Sequence, residues 1–392
     1  MTLDDQFQRQ LAELARTHRL RTTRPFAGAD RVHPVDDAGR PLLSFCTNDY
    51  LGLAGHPVVV EASAAYAAHA GLGAAASRLV AGESPAHRAL EADLARFLHL
   101  PAALLFPTGY QTNIGVITAL AAAGDLIASD AANHASIIDG CRLSRARVVI
   151  YPHADADAAR RALATDGPFR RRLLVTESVF SMDGDRAPLA DLARAASEQH
   201  GILIVDEAHA IGVAGPQGRG LAAAVGVIPD VTVGTLGKSL GSLGGFAAGS
   251  DLLREVLVNT ARSFVFTTAS PPALCASASA ALAICRGPDG EARRRHAATL
   301  AQAVRAGLER LGFTSPGVDL IVPVVLGDDA AALSLSARLQ THGILVPAIR
   351  PPTVPEGTSR LRITLSAAHT HHDITRLLAA LAATLDRAHP QD

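Results

Sequence analysis

The chain has no tryptophan, and aromatic residues make up only 4% of its 392 positions, which leaves few flat side chains on which unpaired bases could stack. It also lacks a surplus of either charge. Lysine and arginine number 36 against 37 aspartates and glutamates, a net charge of −1, so no basic field exists to draw in a phosphate backbone. Nucleic acid is not an expected partner. Cysteine is scarce as well: Cys46, Cys141, Cys275 and Cys285 are scattered without a Cys-x-x-Cys pair, which argues against a disulfide framework and a thiolate zinc site. No apolar run is long enough to span a bilayer, and the first residues, Met-Thr-Leu-Asp-Asp, are acidic rather than an apolar leader. These absences lead us to expect a cytoplasmic protein with no membrane partner. Its length suggests a large domain and a smaller one.

What the chain does have is alternation. Short apolar runs at 103–106, 126–129, 147–151, 173–176, 202–205 and 231–233 are separated by helix-length segments. That pattern predicts an α/β fold with a mostly parallel sheet covered by helices on both faces. After residue 285 the pattern changes to a helix at 291–311, a strand at 321–326, a helix at 329–342 and strands at 344–346 and 361–365, a smaller α+β domain. The expected organisation is therefore an N-terminal arm at 1–46, a large domain at 47–285 and a small C-terminal domain at 286–392. Within the arm, Phe7, Leu11 and Leu14 fall at helical spacing over 4–20 and are expected to pack on another surface.

In sheets of this kind ligands sit beyond the carboxyl ends of the strands, so the residues behind each run are the candidates. The run at 231–233 leads into a glycine-rich turn, Thr235-Leu-Gly-Lys238-Ser-Leu-Gly241. A lysine held among small residues has uses for its nitrogen, such as a Schiff base or a phosphate contact. A P-loop is ruled out by spacing, because Thr232 stands where its first glycine belongs, and Gly237-Lys-Ser-Leu-Gly241 matches a hydrolase elbow only formally. The run at 202–205 ends in Asp206-Glu-Ala-His209; a carboxylate at the end of a buried strand needs a cationic partner. Asp206 and His209 lack a third ligand for a metal, whereas a protonated heterocycle would satisfy the carboxylate. His134 follows another run, and Gly109 and Tyr110 open a helix whose free amides can hold a phosphate. Gly71-Leu-Gly-Ala-Ala-Ala76 fits a dinucleotide fingerprint but follows a helical pattern instead of a strand. His369-Thr-His-His-Asp373 has metal-ligand residue types, yet it precedes the last helix and is expected to be a solvated helix start. No metal is expected.

These stretches, with Thr47-Asn-Asp-Tyr-Leu-Gly-Leu53, Phe180-Ser-Met-Asp-Gly-Asp185 and Arg350-Pro-Pro-Thr-Val-Pro355, resemble the fold-type I, aminotransferase-like pyridoxal-phosphate enzymes along nearly the whole chain. Within them the resemblance is to the α-oxoamine synthases. It implies pyridoxal 5′-phosphate as cofactor and a homodimer. It also implies that Lys238 binds the cofactor covalently and acts as acid and base, that Asp206 pairs with the ring nitrogen, and that His134 stacks on the ring. His209 and Ser181 would lie near the ring hydroxyl. Gly109, Tyr110 and Thr235 would hold the phosphate, with Thr268 offered from the other subunit. Arg21, Asn48, His134, Thr353 and Arg362 are implied substrate contacts. The implied reaction condenses L-alanine with a pimeloyl thioester, carried by coenzyme A or an acyl carrier protein. The Pro351-Pro352 pair favours that acyl group over the rival, glycine or serine with a different acyl-CoA. A second rival, a catalytically dead partner subunit, is opposed by Lys238. Ala74-Ala75-Ala76 and Ala210 stand where the family commonly has glycine, which implies either a narrower acyl channel or altered loop flexibility and bears on substrate choice more than on the cofactor.

Overall fold

Leucine, isoleucine and valine dominate the runs that become strands, and a period of two sends alternate side chains to opposite faces. The computed structural model describes residues 1–386. Its strands are β1 (Leu43–Ser44), β2 (Ala102–Phe106), β3 (Leu126–Asp130), β4 (Arg147–Tyr151), β5 (Arg172–Glu177), β6 (Ile202–Asp206), β7 (Val231–Thr235), β8 (Gly245–Gly249), β9 (Ile321–Gly327), β10 (Ile344–Leu345), β11 (Ala348–Ile349) and β12 (Ser359–Thr364). Leu173 and Val175 of β5 join Ile204 of β6 in a core with Val116, Ile117 and Leu120 of the helix Gly109–Leu120. Leu174, Leu203 and Val205 enter a second core with Ala159, Leu163 and Leu192, from the helices Ala156–Leu163 and Leu189–Glu198. Neither face is wet, and each fully buried leucine, isoleucine or valine contributes roughly 1.5–3 kcal/mol.

Seven strands form one sheet in the order β2-β8-β7-β6-β5-β3-β4. From β3 to β7 neighbouring strands are parallel, while β8 runs antiparallel to both β2 and β7. Sequence patterning did not predict β8. Its residues, Gly-Phe-Ala-Ala-Gly, carry no β-branched side chain, so propensity gives no signal. Tertiary fit makes it a strand: Phe246 pairs with Gly234 of β7, where a Cβ would lie only 2.3 Å from the phenyl ring.

The chain divides into two compact units. The larger, Asn48–Ser181 with Asp185–His296, holds the seven-stranded sheet. The smaller combines Met1–Thr47, Met182–Gly184 and the described residues from Ala297 on. The division after His296 falls inside the continuous helix Pro288–Arg310, beyond the boundary at 285 that composition suggested. The expected arm belongs to the smaller unit, where β1 satisfies its backbone groups by pairing in parallel with β10. There β11, β12 and β9 form an antiparallel sheet, and Val322, Val324, Leu335, Leu339, Leu361, Ile363, Leu377 and Leu381 are buried.

Two local expectations are corrected. The first helix, Leu3–Arg16, has no buried residue, and Phe7 and Leu11 are 51% and 52% exposed; its start is held by a capping box between Thr2 and Asp5 instead of by packing. The His369 tract is a solvated start only in part: His371 and His372, which open the last helix, are exposed, but His369 ahead of them is not. His369 is buried, stacks on Phe45 with centroids 4.4 Å apart and donates from Nε2 to the Ser44 carbonyl at 3.0 Å. Among the described residues no group of three or more His, Cys, Asp or Glu could hold a metal, and no helix is long and apolar enough to cross a membrane.

Candidate active site

The turn behind β7 is shaped by its glycines. Gly241 has φ +59°, and a Cβ there would lie 2.4 Å from the Ala54 amide, so the turn lies directly on the loop that begins at Asn48. Asp49 stiffens that loop by accepting from the amides of Leu53 and Ala54 at 2.8 and 3.0 Å. On this base Lys238 Nζ lies 2.7 Å from His209 Nε2, and His209 Nδ1 lies 2.6 Å from the Tyr50 hydroxyl. The hydroxyl donates to Asn48 Oδ1 at 3.3 Å. The candidates Lys238, His209 and Asn48 are thus joined in one line of contacts through Tyr50, to which the sequence reading gave no role.

A second line starts at Asp206, buried at the end of β6. Its Oδ1 accepts from the Ala208 amide at 2.9 Å, and its Oδ2 accepts from the Asn113 side-chain amide at 2.7 Å. The same Asn113 nitrogen donates to Ser136 Oγ at 2.9 Å, and Ser136 Oγ lies 2.8 Å from His134 Nδ1. The Ser136 amide also donates to Nδ1, at 3.2 Å. With both Ser136 groups donating there, His134 is the Nε2–H tautomer. Burial first, and then the Lys238 charge, hold the His134 imidazolium below its usual range, against the opposing pull of Asp206. Glu177 ends β5 in register with Asp206. Burial, and then repulsion from Asp206, push its carboxyl up to about 8, with Lys238 pulling it back, so at neutral pH it mostly keeps its proton.

The third element is the start of the helix Gly109–Leu120. Thr108 caps it by accepting from the Gln111 amide at 3.1 Å, leaving the first helical amides without acceptors inside the helix. A Cβ at Gly109 would come 3.5 Å from the Thr235 Cβ, and one at Gly245 would come 2.7 Å from Gly109 N. Small residues therefore let β8 and the end of β7 pack closely against the head of this helix, whose dipole and unbonded amides favour an anion. Tyr110 places its ring edge-on to His134, with centroids 6.4 Å apart, and bonds to Asp139. A primary amine, a buried carboxylate, an imidazole held neutral and an anion cradle on one sheet edge fit pyridoxal 5′-phosphate in donor chemistry.

The remaining candidates are divided between the two units. Ser181 is buried in the larger unit, and Thr268 lies exposed on the turn before the helix Pro272–Arg286. Arg21, Thr353 and Arg362 belong to the smaller unit. Arg21 lines a cavity of about 600 Å³ there with Arg24, Arg31 and Arg350. Arg362 is buried and donates to Thr364 Oγ1 at 3.0 Å, and Thr353 is exposed.

A family profile of the class I and II aminotransferases matches residues 40–381. The chain belongs to that family of fold-type I enzymes, and its cofactor is pyridoxal 5′-phosphate. It is 50% identical over 380 residues, covering 96% of this chain and 94% of the relative, to the 8-amino-7-oxononanoate synthase of Marinobacter nauticus. Among solved structures it is similar to the serine palmitoyltransferase of Sphingomonas wittichii (TM-score 0.90, 31% identity, 99% and 98% of the two chains). It is also similar to the 8-amino-7-oxononanoate synthase of Francisella tularensis (TM-score 0.76, 26% identity, 88% and 98%).

Proposed function

We propose that the protein condenses L-alanine with a pimeloyl thioester, releasing carbon dioxide and the thiol and forming 8-amino-7-oxononanoate for biotin synthesis. The supporting observation is the 50% identity over 96% of the chain to an enzyme of that name, against 31% to a serine palmitoyltransferase. When bound, the cofactor supplies an electron sink for the carbon that loses its proton. Lys238 would hold it covalently, and its amine would serve as the acid and base that moves that proton. Asp206, kept in place by Asn113, maintains a positive charge on the ring nitrogen. His134 would stack on the cofactor ring, and His209 and Ser181 would bond near its hydroxyl. The amides of Gly109 and Tyr110, with Thr235, hold the phosphate, and Thr268 is offered by the second subunit of a homodimer. Asn48 and Arg362 bind the amino-acid carboxylate, with Arg21 and Thr353 on the acyl side. A new carbon–carbon bond replaces the thioester bond, and the alanine carboxylate leaves as carbon dioxide.

The test follows free thiol while alanine, glycine and serine are each offered with acetyl, succinyl, palmitoyl and pimeloyl thioesters, on coenzyme A and on an acyl carrier protein. Alanine with pimeloyl is expected to dominate. Each buried methylene is worth roughly 0.8 kcal/mol, so acetyl should react orders of magnitude more slowly. A preference for serine with palmitoyl, or glycine with a short acyl group, would overturn the assignment.

A further inference from the structure

His153 follows the end of β4 and stands between two carboxylates, with Nδ1 2.8 Å from Asp130 Oδ1 and Nε2 2.8 Å from Asp185 Oδ2. An ionised carboxylate only accepts, so both ring nitrogens donate and the ring is an imidazolium. The same two hydrogen bonds raise its pKa to about 10, which keeps the charge in place at neutral pH. One end of this bridge is fixed. Asp130 ends β3 and also accepts from the amides of Ala132 at 2.8 Å and Ala154 at 2.9 Å. Ala154, directly after His153, has φ +55°, a left-handed backbone that alanine rarely adopts. The other end carries a candidate. The Phe180 amide donates to the Asp185 carbonyl at 3.0 Å, and below it the Ala187 amide donates to the Ser178 carbonyl at 2.9 Å, so Phe180 and Asp185 are the two feet of a turn on which Ser181 stands. The Phe180 ring lies edge-on to His153 with centroids 4.3 Å apart. His153 therefore touches both feet, one through a charged hydrogen bond and the other through a ring contact.

We propose that His153 is a positioning residue for the reaction: bridging Asp130 and Asp185 as a cation, it ties the Phe180–Asp185 turn to the end of β3 and so sets where Ser181 meets the cofactor. The inference rests on the reading of Ser181 as a contact of the ring hydroxyl. An imidazolium suits this task because its two donors leave opposite sides of a rigid ring and can serve two acceptors at once. Its charge also offsets the repulsion between the carboxylates it separates. Glutamine in its place carries no charge, so Asp130 and Asp185 are left to repel each other and the turn loses its tie to β3.

The experiment titrates cofactor-free protein with pyridoxal phosphate as wild type, His153→Gln, Ser181→Ala and the double variant. His153→Gln is expected to weaken cofactor binding roughly fivefold, within what a partly exposed ion pair contributes. It should also move the pH midpoint of the cofactor's visible band in the same direction as Ser181→Ala does. In the Ser181→Ala background the same change should weaken binding less than about twofold, because the contact it positions is already gone. Equal factors in the two backgrounds would show that His153 acts on the fold at large, and would overturn the proposal. Full affinity in His153→Gln would overturn it too. Nitrogen NMR of histidine-labelled, cofactor-free wild type at pH 8 tests the charge without relying on a variant's fold: both nitrogens of His153 should carry hydrogen, and a neutral ring would overturn the proposal. If Ser181→Ala changes neither affinity nor band, the reading of Ser181 fails and this inference falls with it. If Ser181→Ala weakens binding and His153→Gln does not, only the inference fails.

Discussion

Asn113 reaches across from the helix Gly109–Leu120 to place its amide 2.7 Å from Asp206 Oδ2. The contact joins the anion cradle at the head of that helix to the carboxylate at the end of β6, because one rigid helix carries both Gly109 and Asn113. Asn113→Leu is therefore expected to weaken pyridoxal-phosphate binding and lower turnover by tenfold or more. A buried hydrogen bond to a charged group is worth about 1.5–3 kcal/mol. Cofactor titration and kcat measure it, and wild-type values in both would show that Asp206 needs no such support.

Purified protein with pyridoxal phosphate should be yellow, and borohydride should fix the cofactor on Lys238, where peptide mapping would find it. Lys238→Ala should give no such adduct. Labelling of another lysine would remove Lys238 from its proposed role.

Asp206→Asn removes the negative charge that faces the ring nitrogen while keeping a side chain of the same shape. The variant should fold, bind cofactor weakly and lose most of its turnover. Near-normal turnover would mean that another group supports the ring charge.

Gly245→Ala tests the cradle sterically. The added Cβ would meet Thr112 Oγ1 at 2.3 Å and Gly109 N at 2.7 Å, so the head of the helix must shift. Overpacking of this kind costs roughly 1–3 kcal/mol, and cofactor affinity should fall together with the melting temperature. Gly73→Ala, where a Cβ meets nothing within 4 Å, is the control and should change neither.

His153 lies 2.8 Å from both Asp130 and Asp185 and edge-on to Phe180, just before Ser181. Its hydrogen bonds to Asp130 and then Asp185 raise its pKa to about 10. Because the folded value lies above the unfolded value of about 6.5, the stabilisation is fully present below pH 6.5 and is lost as pH rises through 10. The side chain is 35% exposed, so solvent screening keeps the effect near 1 kcal/mol or below. Urea midpoints of wild type and His153→Gln should differ at pH 6 and converge by pH 10.5. A gap independent of pH would locate the contribution in packing with Phe180.

The sequence by itself determined the sheet's apolar strands, because an unbroken run of leucine, isoleucine and valine can only be buried when both faces are covered. It also singled out the residues that follow them, since Asp206, His134 and Lys238 each stand directly behind such a run or in the turn it enters. Only the tertiary structure decided what those residues touch. Asn113, Ser136 and Tyr50 are ordinary polar residues within their stretches, and no local spacing shows that Asn113 meets a carboxylate 93 positions later or that Tyr50 meets a histidine 159 positions on. The same holds for β8, whose glycines and alanines have little strand propensity and form a strand because Gly234 leaves room for Phe246. Local chemistry fixes which groups are costly to bury. Their partners are fixed by the folded chain, which alone brings distant donors and acceptors within 3 Å of each other.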